Sequence, residues 1–331
     1  MNVASHPLVW KRPWHVVLAC CVLFVGAFST QAPADSTVSI MPLGDSLTWG
    51  YNGSLTDPAT PGGYRDPLYG MLLNGGVDAS YVGANNGNPG PLLTTPSLTA
   101  QNGYSGYTIA QIQNNLAGSD TSNVISNAGG YWLSGNPATG QAPESANIIL
   151  LMIGTNDITQ NIDPLYNATL DGPMTNALFG QQTAQRVVSL VQEIRQYEPN
   201  SLILVAGAPP AYGYDVKVEP FDLNLQADIN AGQAGANVDY VDMFTPFWTT
   251  STWASGGGSD NLAAYFDASG GNVPDGIHPN TAGYDLMAQT WDNAIMADYD
   301  FSEVPEPSTY ALFLGGAMAL LGWRKLRLRK S

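Results

Sequence analysis

The feature that most constrains the fold is a run of seven residues at 147–153, Asn-Ile-Ile-Leu-Leu-Met-Ile. Six apolar residues in succession leave this segment without a polar face. A strand with one solvated face would alternate polar and apolar residues, whereas a parallel strand covered by helices on both sides is apolar throughout. The run therefore predicts a central parallel strand and, with it, a domain of the α/β class.

Further predicted strands and helices alternate along the chain. Shorter apolar runs predict four more strands, at 38–43, 80–83, 202–206 and 238–243. Helical spacing of apolar residues predicts helices at 67–73, 183–197 and 281–296. The alternation predicts a doubly wound, flavodoxin-like parallel sheet of five strands in a three-layer αβα domain. The segments 118–140 and 249–272 are rich in Gly, Asn, Ser and Thr, which predicts loops outside the core.

Residues 1–34 are predicted to be a secretory signal peptide. Two basic residues precede the apolar stretch 16–28, and small residues follow it up to Ala34, as is usual in such peptides. Both cysteines of the chain lie within that stretch. A single domain at 35–301 would then have no thiol, which excludes a cysteine nucleophile and thiolate metal sites.

Residues 302–331 are predicted to be a second targeting segment. Pro305-Glu306-Pro307 is followed by the apolar run 310–323, and the chain ends in a basic cluster. Fourteen apolar residues fall short of the roughly twenty that span a bilayer. One interpretation is therefore a short stop-transfer helix, extended by flanking residues and followed by a cytoplasmic basic tail.

The same order of motif, apolar helix and basic end resembles the PEP-CTERM sorting signal of Gram-negative bacteria. This resemblance implies export across the inner membrane and contact with the membrane through the C-terminal helix. It also implies a processing partner, a membrane protease-transpeptidase called exosortase. The protein would then be attached to the cell envelope or extracellular.

Charge is distributed unevenly along the chain. The stretch from Asp35 to Glu306 contains all 27 acidic residues but only four basic ones, a formal charge of −23. The four basic residues are Arg65, Arg186, Arg195 and Lys217. Such an acidic domain would repel nucleic acid and other anionic polymers. The charge suits a soluble extracytoplasmic protein and does not itself identify a substrate.

Three residues form a complete set for nucleophilic catalysis. Ser46 directly follows the first predicted strand, whereas Asp275 and His278 lie near the other end of the domain. A serine hydroxyl needs a base before it attacks a carbonyl at neutral pH, and a histidine held in one tautomer by a carboxylate is the usual base. The sequence therefore predicts Ser46 as the nucleophile, His278 as the general base and Asp275 as the orienting carboxylate.

Two further residues are predicted to stabilise an oxyanion. Gly106 lies in the loop after the second predicted strand, and Asn156 follows the third. In open α/β sheets, ligands bind beyond the carboxyl ends of the strands, where the strand order reverses. If the first three predicted strands lie in the order 2-1-3 in the sheet, Ser46 lies between Gly106 and Asn156. The backbone N–H groups of Ser46 and Gly106 and the amide of Asn156 could then converge on one oxyanion.

Taken together, these positions resemble the sequence blocks of the SGNH (GDSL-like) hydrolases over residues 40–291. The matching residues are the nucleophile Ser46, the glycine Gly106, the asparagine Asn156 and the pair Asp275 and His278. Within that superfamily, four motifs are similar to carbohydrate esterase family 3, at 41–46, 62–69, 105–109 and 153–157. The resemblance implies an SGNH hydrolase fold and a secreted esterase, like acetyl xylan esterases, that deacetylates acylated carbohydrate.

Four residues beside these motifs are candidates for contacting the substrate: Asp45, Arg65, Tyr107 and Asp157. Each also has a structural interpretation. Arg65 would pair with Asp45 or Asp66, because a cation among many acids usually finds one. Tyr107 would pack beneath the loops with other aromatic residues. Asp45 and Asp157 would fix the loops that contain them.

No cofactor and no metal site is predicted. One histidine and no thiol in the domain do not suit zinc, and no acidic segment has EF-hand spacing. Two other functions stay open. A lipolytic or thioester hydrolase would want a more apolar acyl groove than the polar loops suggest, and a non-catalytic polysaccharide-binding surface module would explain the C-terminal tail.

Overall fold

A parallel β-sheet forms the centre of the molecule. The computed structural model describes residues 37–51, 60–118, 130–211, 213–247 and 276–301. Its strands are β1 (Val38–Gly44), β2 (Ala79–Tyr81), β3 (Asn102–Gly103), β4 (Ile148–Met152), β5 (Leu202–Ala206) and β6 (Val238–Val241). The five predicted strands correspond to β1, β2, β4, β5 and β6. They lie in the order β2-β1-β4-β5-β6, and every pairing in that order is parallel.

The sheet has one strand more than predicted. The two-residue strand β3 pairs in parallel with the end of β1, where Leu43 lies opposite Asn102. A strand this short contains no apolar run, so its sequence gives no strand signal. The predicted doubly wound topology is otherwise confirmed.

Helices cover both faces of the sheet. They are α1 (Ser46–Trp49), α2 (Arg65–Asn74), α3 (Pro96–Thr99), α4 (Ile109–Ala117), α5 (Thr155–Gln160), α6 (Ala168–Asp171), α7 (Asn176–Tyr197), α8 (Asp215–Asn230) and α9 (Thr281–Asp298). A 3₁₀ turn at Thr245–Phe247 follows the last strand. The described part of the chain therefore has the three predicted layers.

The central strand β4 is apolar because both of its faces are buried. Ile149 and Leu151 belong to one core cluster, which includes buried residues of α4, α7 and α8. Ile148 and Leu150 belong to a second cluster, which includes buried residues of α2 and α9. All four side chains have no exposed surface. This arrangement confirms the interpretation of the run at 147–153.

Helix α8 was not predicted, and α7 begins seven residues earlier than predicted. Pro220 lies inside α8, and a proline within a helical pattern normally indicates a helix end. Gly180 weakens the helical signal of α7 in the same way. The two helices pack so closely that a Cβ at Gly180 would lie 2.5 Å from the backbone nitrogen of Phe221. Packing between the helices thus explains both departures from the sequence pattern.

The predicted exclusion of residues 118–140 from the core is wrong for the part that the structure describes. Trp132 has no exposed surface, and Leu133 is 4% exposed. The indole of Trp132 stacks on the ring of Tyr104 with a centroid distance of 5.3 Å. This Trp-Leu pair therefore packs an otherwise polar segment against the core. The loop predicted at 249–272 lies outside the described residues.

The chain divides into two units, and the one that contains the sheet spans Thr37–Val304. The other, made of Met1–Ser36 and Pro305–Ser331, lies outside the described residues. The predicted signal peptide and the apolar run 310–323 fall there. Within the described ranges, none of the helices combines the length and the apolar character needed to cross a bilayer.

We expect Trp132→Ala to lower the free energy of unfolding by about 3–5 kcal/mol, because it removes a fully buried aromatic side chain and leaves a cavity. Urea unfolding followed by circular dichroism measures this change. Leu170→Ala is the control, since Leu170 is 80% exposed and its truncation should change stability by less than about 0.5 kcal/mol. Equal, small effects of both substitutions would contradict the burial of this segment.

Candidate active site

The site lies at the carboxyl ends of the central strands. Ser46 follows β1 and is the first residue of α1. Asn156 is the second residue of α5, which follows β4. Strand β4 is the third predicted strand, and β1 lies between β2 and β4, so the predicted 2-1-3 order is confirmed. The strand order therefore reverses next to Ser46. Ligands of open α/β sheets bind at this kind of position.

Ser46 and His278 are joined by a hydrogen bond. The distance from Ser46 Oγ to His278 Nε2 is 2.7 Å, across 232 residues of sequence. Ser46 is 5% exposed, and His278 is half-buried. With Nε2 unprotonated, the hydroxyl donates to the imidazole, which is the geometry required of a nucleophile and its base. The structure thus brings together two of the three residues predicted for catalysis.

The third residue, Asp275, lies outside the described residues. Its predicted role in orienting His278 stays a prediction. After His278, the chain continues through Pro279 into α9. The side chain of Asn280 caps this helix by accepting a hydrogen bond from the N–H of Gly283 at 3.0 Å. The start of α9 therefore fixes the backbone two residues after His278.

Tyr51 contacts His278 in a way that the sequence did not indicate. The two rings meet edge to face, with a centroid distance of 4.5 Å and an interplanar angle of 77°. The backbone carbonyl of Tyr51 accepts a hydrogen bond from the hydroxyl of Tyr284, on α9, at 2.5 Å. Helix α9 thus begins three residues after His278 and also contacts Tyr51, the ring of which packs against that imidazole.

The turn that carries Ser46 depends on Asp45. This aspartate precedes α1, and its Oδ1 accepts a hydrogen bond from the N–H of Leu47 at 3.0 Å. Its side chain has no exposed surface, and its Oδ2 has no hydrogen-bond partner among the described residues. Burial, reinforced by the nearby charge of Asp157, raises the pKa of Asp45 to about 7.

Gly106 and Asn156 are the two other residues predicted to stabilise an oxyanion. Gly106 is exposed and has a φ of +83°, a conformation that side chains disfavour, although a Cβ there would meet no atom within 4 Å. Asn156 Nδ2 donates to the carbonyl of Tyr107 at 2.9 Å, which links the end of β4 to the loop of Gly106. An amide has two N–H bonds, and Asn156 Nδ2 makes no other hydrogen bond among the described residues. Their convergence with Ser46 stays a prediction.

Asp157 fixes the elements around this loop. Its Oδ1 pairs with Arg186 Nη1 at 2.5 Å, and its Oδ2 accepts from the N–H of Ile109 at 3.0 Å. These contacts join α5, α7 and the start of α4. Burial raises the pKa of Asp157, and the charge of Arg186 opposes that rise. Asp157 is fully buried, which favours its loop-fixing interpretation.

The predicted pairing of Arg65 with Asp45 or Asp66 is wrong. Its guanidinium is fully buried and donates to backbone carbonyls instead. The acceptors are the carbonyl oxygens of Thr48 at 3.3 Å, Trp49 at 3.4 Å, Asn88 at 3.0 Å and Thr99 at 3.4 Å. Five N–H groups in a planar fork suit such a set of acceptors. Burial lowers the pKa of Arg65 to about 10, so it stays charged at neutral pH.

All four candidates for contacting the substrate are buried, which favours their structural interpretations. Asp45, Arg65 and Asp157 have no exposed surface, and Tyr107 is 1% exposed. The ring of Tyr107 stacks on that of Tyr104 at 4.8 Å, which is the aromatic packing considered as the alternative. These buried residues stabilise the loops around the site. The described ranges also contain no group of three or more His, Cys, Asp or Glu residues suited to a metal ion.

Comparison with known proteins assigns the family. Residues 40–291 match the sequence profile of the family described as GDSL-like Lipase/Acylhydrolase. The chain belongs to this family. Its members are ester-hydrolysing enzymes by that description, and the match confirms the resemblance to SGNH (GDSL-like) hydrolases. Residues 303–330 match the PEP-CTERM protein-sorting motif, which confirms the resemblance of the C-terminal segment.

Two relatives of this GDSL-like chain carry esterase names. A "Multidomain esterase" of Ruminococcus flavefaciens is 26% identical over 284 residues, which cover 82% of this chain but only 30% of that protein. The structure of a Clostridium thermocellum family 3 carbohydrate esterase has a TM-score of 0.50 and 24% identity, over 79% of this chain and 96% of that one. The second similarity confirms the predicted SGNH hydrolase fold.

Because the pKa of Asp45 is raised from 3.8 to about 7, the folded state binds a proton more tightly than the unfolded state. Its contribution to stability is therefore present below about pH 4 and is lost as the pH rises to about 7, by about 1.4 kcal/mol for each pH unit in that range. We expect Asp45→Asn to remove this loss. Relative to the wild type, the variant should gain about 1–4 kcal/mol between about pH 4.5 and about pH 8.

Urea unfolding at the two pH values measures the difference. Asparagine keeps an oxygen that can accept from the N–H of Leu47, so the turn itself is retained. Asp228→Asn is the control, because Asp228 lies on α8 and its Oδ1 accepts only a solvent-exposed hydrogen bond from Gln233. If Asp45→Asn changes stability equally at both pH values, Asp45 does not titrate as its burial requires.

Proposed function

We propose that the protein is a secreted serine esterase that hydrolyses short acyl esters, chiefly acetyl esters, on carbohydrate. The observation that carries this proposal is the 2.7 Å hydrogen bond between Ser46 Oγ and His278 Nε2. It lies at the sheet edge where α/β proteins bind their ligands, in a chain of the GDSL-like lipase/acylhydrolase family.

In the proposed reaction, Ser46 Oγ attacks the carbonyl carbon of the ester while His278 Nε2 takes the hydroxyl proton. The resulting tetrahedral intermediate collapses as the imidazolium returns that proton to the leaving sugar oxygen, which departs as an alcohol. A water molecule then attacks the acyl-enzyme and gives its proton to Nε2. Collapse of the second intermediate releases the carboxylic acid and restores Ser46.

Asp275 would hold His278 in the tautomer that leaves Nε2 free to accept a proton. The negative oxygen of each intermediate would be stabilised by the N–H groups of Ser46 and Gly106 and by the side-chain amide of Asn156. Two observations support this arrangement. Gly106 has a left-handed backbone, with a φ of +83°, and the Asn156 amide is oriented by the carbonyl of Tyr107 in the same loop.

Two other groups would keep the nucleophile and base aligned. Tyr51 packs against the His278 ring and would limit its rotation. Arg65 binds the carbonyls of Thr48 and Trp49, so it fixes the turn immediately after the nucleophile. Neither residue would touch the reacting atoms; both are positioning residues.

The proposed substrate class rests on three observations. The names of the two esterase relatives point to ester cleavage, and one is a carbohydrate esterase. The loops near the site are polar and rich in glycine and asparagine. A neutral sugar chain is not repelled by a domain with a formal charge of −23. Acylated polysaccharide such as xylan combines these properties.

We further propose that the protein acts outside the inner membrane of a Gram-negative bacterium. The PEP-CTERM motif at 303–330 and the predicted signal peptide at 1–34 support export. An exosortase would process the C-terminal tail, whose apolar helix would contact the membrane until then. The mature protein would be attached to the envelope or released, where it meets extracellular carbohydrate.

A fluorophosphonate should label Ser46 of the purified protein, and Ser46→Ala should abolish both labelling and turnover. His278→Ala should lower kcat by at least about 10⁴-fold, because the serine loses its base. Mass spectrometry locates the adduct. The matched control is Ser189→Ala, which removes an exposed hydroxyl on α7 and should retain labelling and activity. An adduct that persists in Ser46→Ala would refute the assigned nucleophile.

Short acyl groups should be preferred, since an acetyl group needs only a small pocket beside the nucleophile. We expect kcat/KM for p-nitrophenyl acetate to exceed that for the octanoate by at least about tenfold, together with acetate release from acetylated xylan. A preference for octanoate without release from xylan would support the lipolytic alternative. Turnover of neither ester would support the non-catalytic binding module.

A further inference from the structure

A second polar site lies at the carboxyl ends of β5 and β6. A small cavity there, with a volume of about 20 Å³, is lined by Asp222, Leu223, Gln226, Tyr240 and Asp242. About 10–15 Å³ suffices to hold one water molecule, so the cavity admits a single occupant of that size. Four of its five side chains carry oxygen atoms. Gln226 is exposed and Asp242 is half-buried, which leaves a route for a solute to enter.

Asp222 is the central group of this cavity. Its side chain is 1% exposed, and its Oδ1 accepts a hydrogen bond from the N–H of Ala208 at 2.8 Å. Its Oδ2 has no hydrogen-bond partner among the described residues. Burying a carboxylate oxygen without a donor or a cation is costly. An occupant of the cavity would supply the missing interaction.

Asp242 brings a second carboxylate to the same place. Its Oδ1 accepts from the N–H groups of Phe244 and Thr245 at 3.0 and 2.9 Å, so the orientation of the carboxylate is fixed. The Tyr240 hydroxyl and the Asp222 carboxylate both lie close to the backbone of Gly207, which follows β5. A Cβ at this position would lie 2.5 Å from the Tyr240 hydroxyl and 2.6 Å from Asp222 Oδ1.

The domain has no basic side chain left to neutralise this pair. Each of its four Lys and Arg residues is engaged elsewhere, by backbone carbonyls, by Asp157 or by Asn161. These residues are Arg65, Arg186, Arg195 and Lys217. The imidazole of His278 is bonded to Ser46. The described basic side chains therefore do not compensate these two carboxylates, and a cation from solution would do so.

We propose that this cavity binds a hard divalent cation, with Asp222 Oδ2, the Asp242 carboxylate and the Gln226 amide oxygen as protein ligands and water as the remainder. Carboxylate and amide oxygens are the ligands that Ca²⁺ prefers, and its flexible coordination tolerates an irregular set. Mg²⁺ demands near-octahedral geometry and loses water reluctantly. Two carboxylates at a partly open site suit an affinity in the range of extracellular modules, about 10⁻⁴–10⁻³ M.

This site is separate from the esterase chemistry proposed for Ser46, and its test does not depend on activity. The full-length protein is stripped with a chelator and titrated with Ca²⁺ by isothermal titration calorimetry at physiological salt. We expect one Ca²⁺ per chain, a Tm that rises with Ca²⁺ concentration, and a weaker response to Mg²⁺. Asp222→Asn and Asp242→Asn should each weaken Ca²⁺ binding by at least about tenfold, because each removes a charged ligand.

Asp228→Asn is the matched control, since it removes the same charge from α8 outside the cavity; its affinity should stay within about twofold of the wild type. A second measurement does not rely on Asp222 variants that fold. Tb³⁺ bound in the cavity should show luminescence sensitised by the Tyr240 ring, lost in Tyr240→Phe or on adding Ca²⁺. An absence of Ca²⁺ binding by the wild type, or unchanged affinity in both cavity aspartate variants, would overturn the proposal.

Discussion

The close parallel pairing of β1 with β4 sets the geometry of everything around the candidate active site. At the carboxyl end of this pair, Gly44 lies opposite Met152, and a Cβ at Gly44 would fall 2.2 Å from the Met152 carbonyl oxygen. No side chain fits there without separating the strands. The two chain segments that leave this point carry Ser46 and Asn156, so their separation is fixed by the sheet itself.

Scarcity of positive charge determines how the basic residues are used. In a domain with four of them, the three arginines bind backbone carbonyls or a buried carboxylate of the protein itself. Arg65 holds the turn after Ser46, and Arg186 joins α7 to the segment after β4. Arg195 ties the end of α7 to the strands beside it. Such an arrangement leaves the outer surface acidic, while the few cations stabilise loops whose own side chains are polar.

Much of the fold could be predicted because it follows from local patterns. Apolar runs located five strands, and the position of Ser46 after the first of them placed the site at the correct edge of the sheet. His278 stood out because no other imidazole remained in the domain. These inferences need only periodicity, strand order and the chemistry of the side chains.

The rest depends on contacts between distant segments, which no local pattern reports. Gly180 weakens the helical signal of α7, and Pro220 weakens that of α8. Both residues nevertheless occur where these helices meet. Trp132 lies in a polar segment, and only its partner Tyr104 shows why it is buried. Arg65 was expected to find a carboxylate, but the nearest acceptors in its buried environment are carbonyls. Edge-to-face packing of Tyr51 on His278 likewise needs the tertiary structure.

The position of His278 just before α9 has a consequence for biosynthesis. Ser46 follows the first strand of the sheet, whereas His278 and the helix that contacts Tyr51 come after the last strand. Synthesis from the N-terminus therefore produces Ser46 first, 232 residues before His278. The hydrogen bond between the two side chains can form only after the segment that leads into α9 has been made.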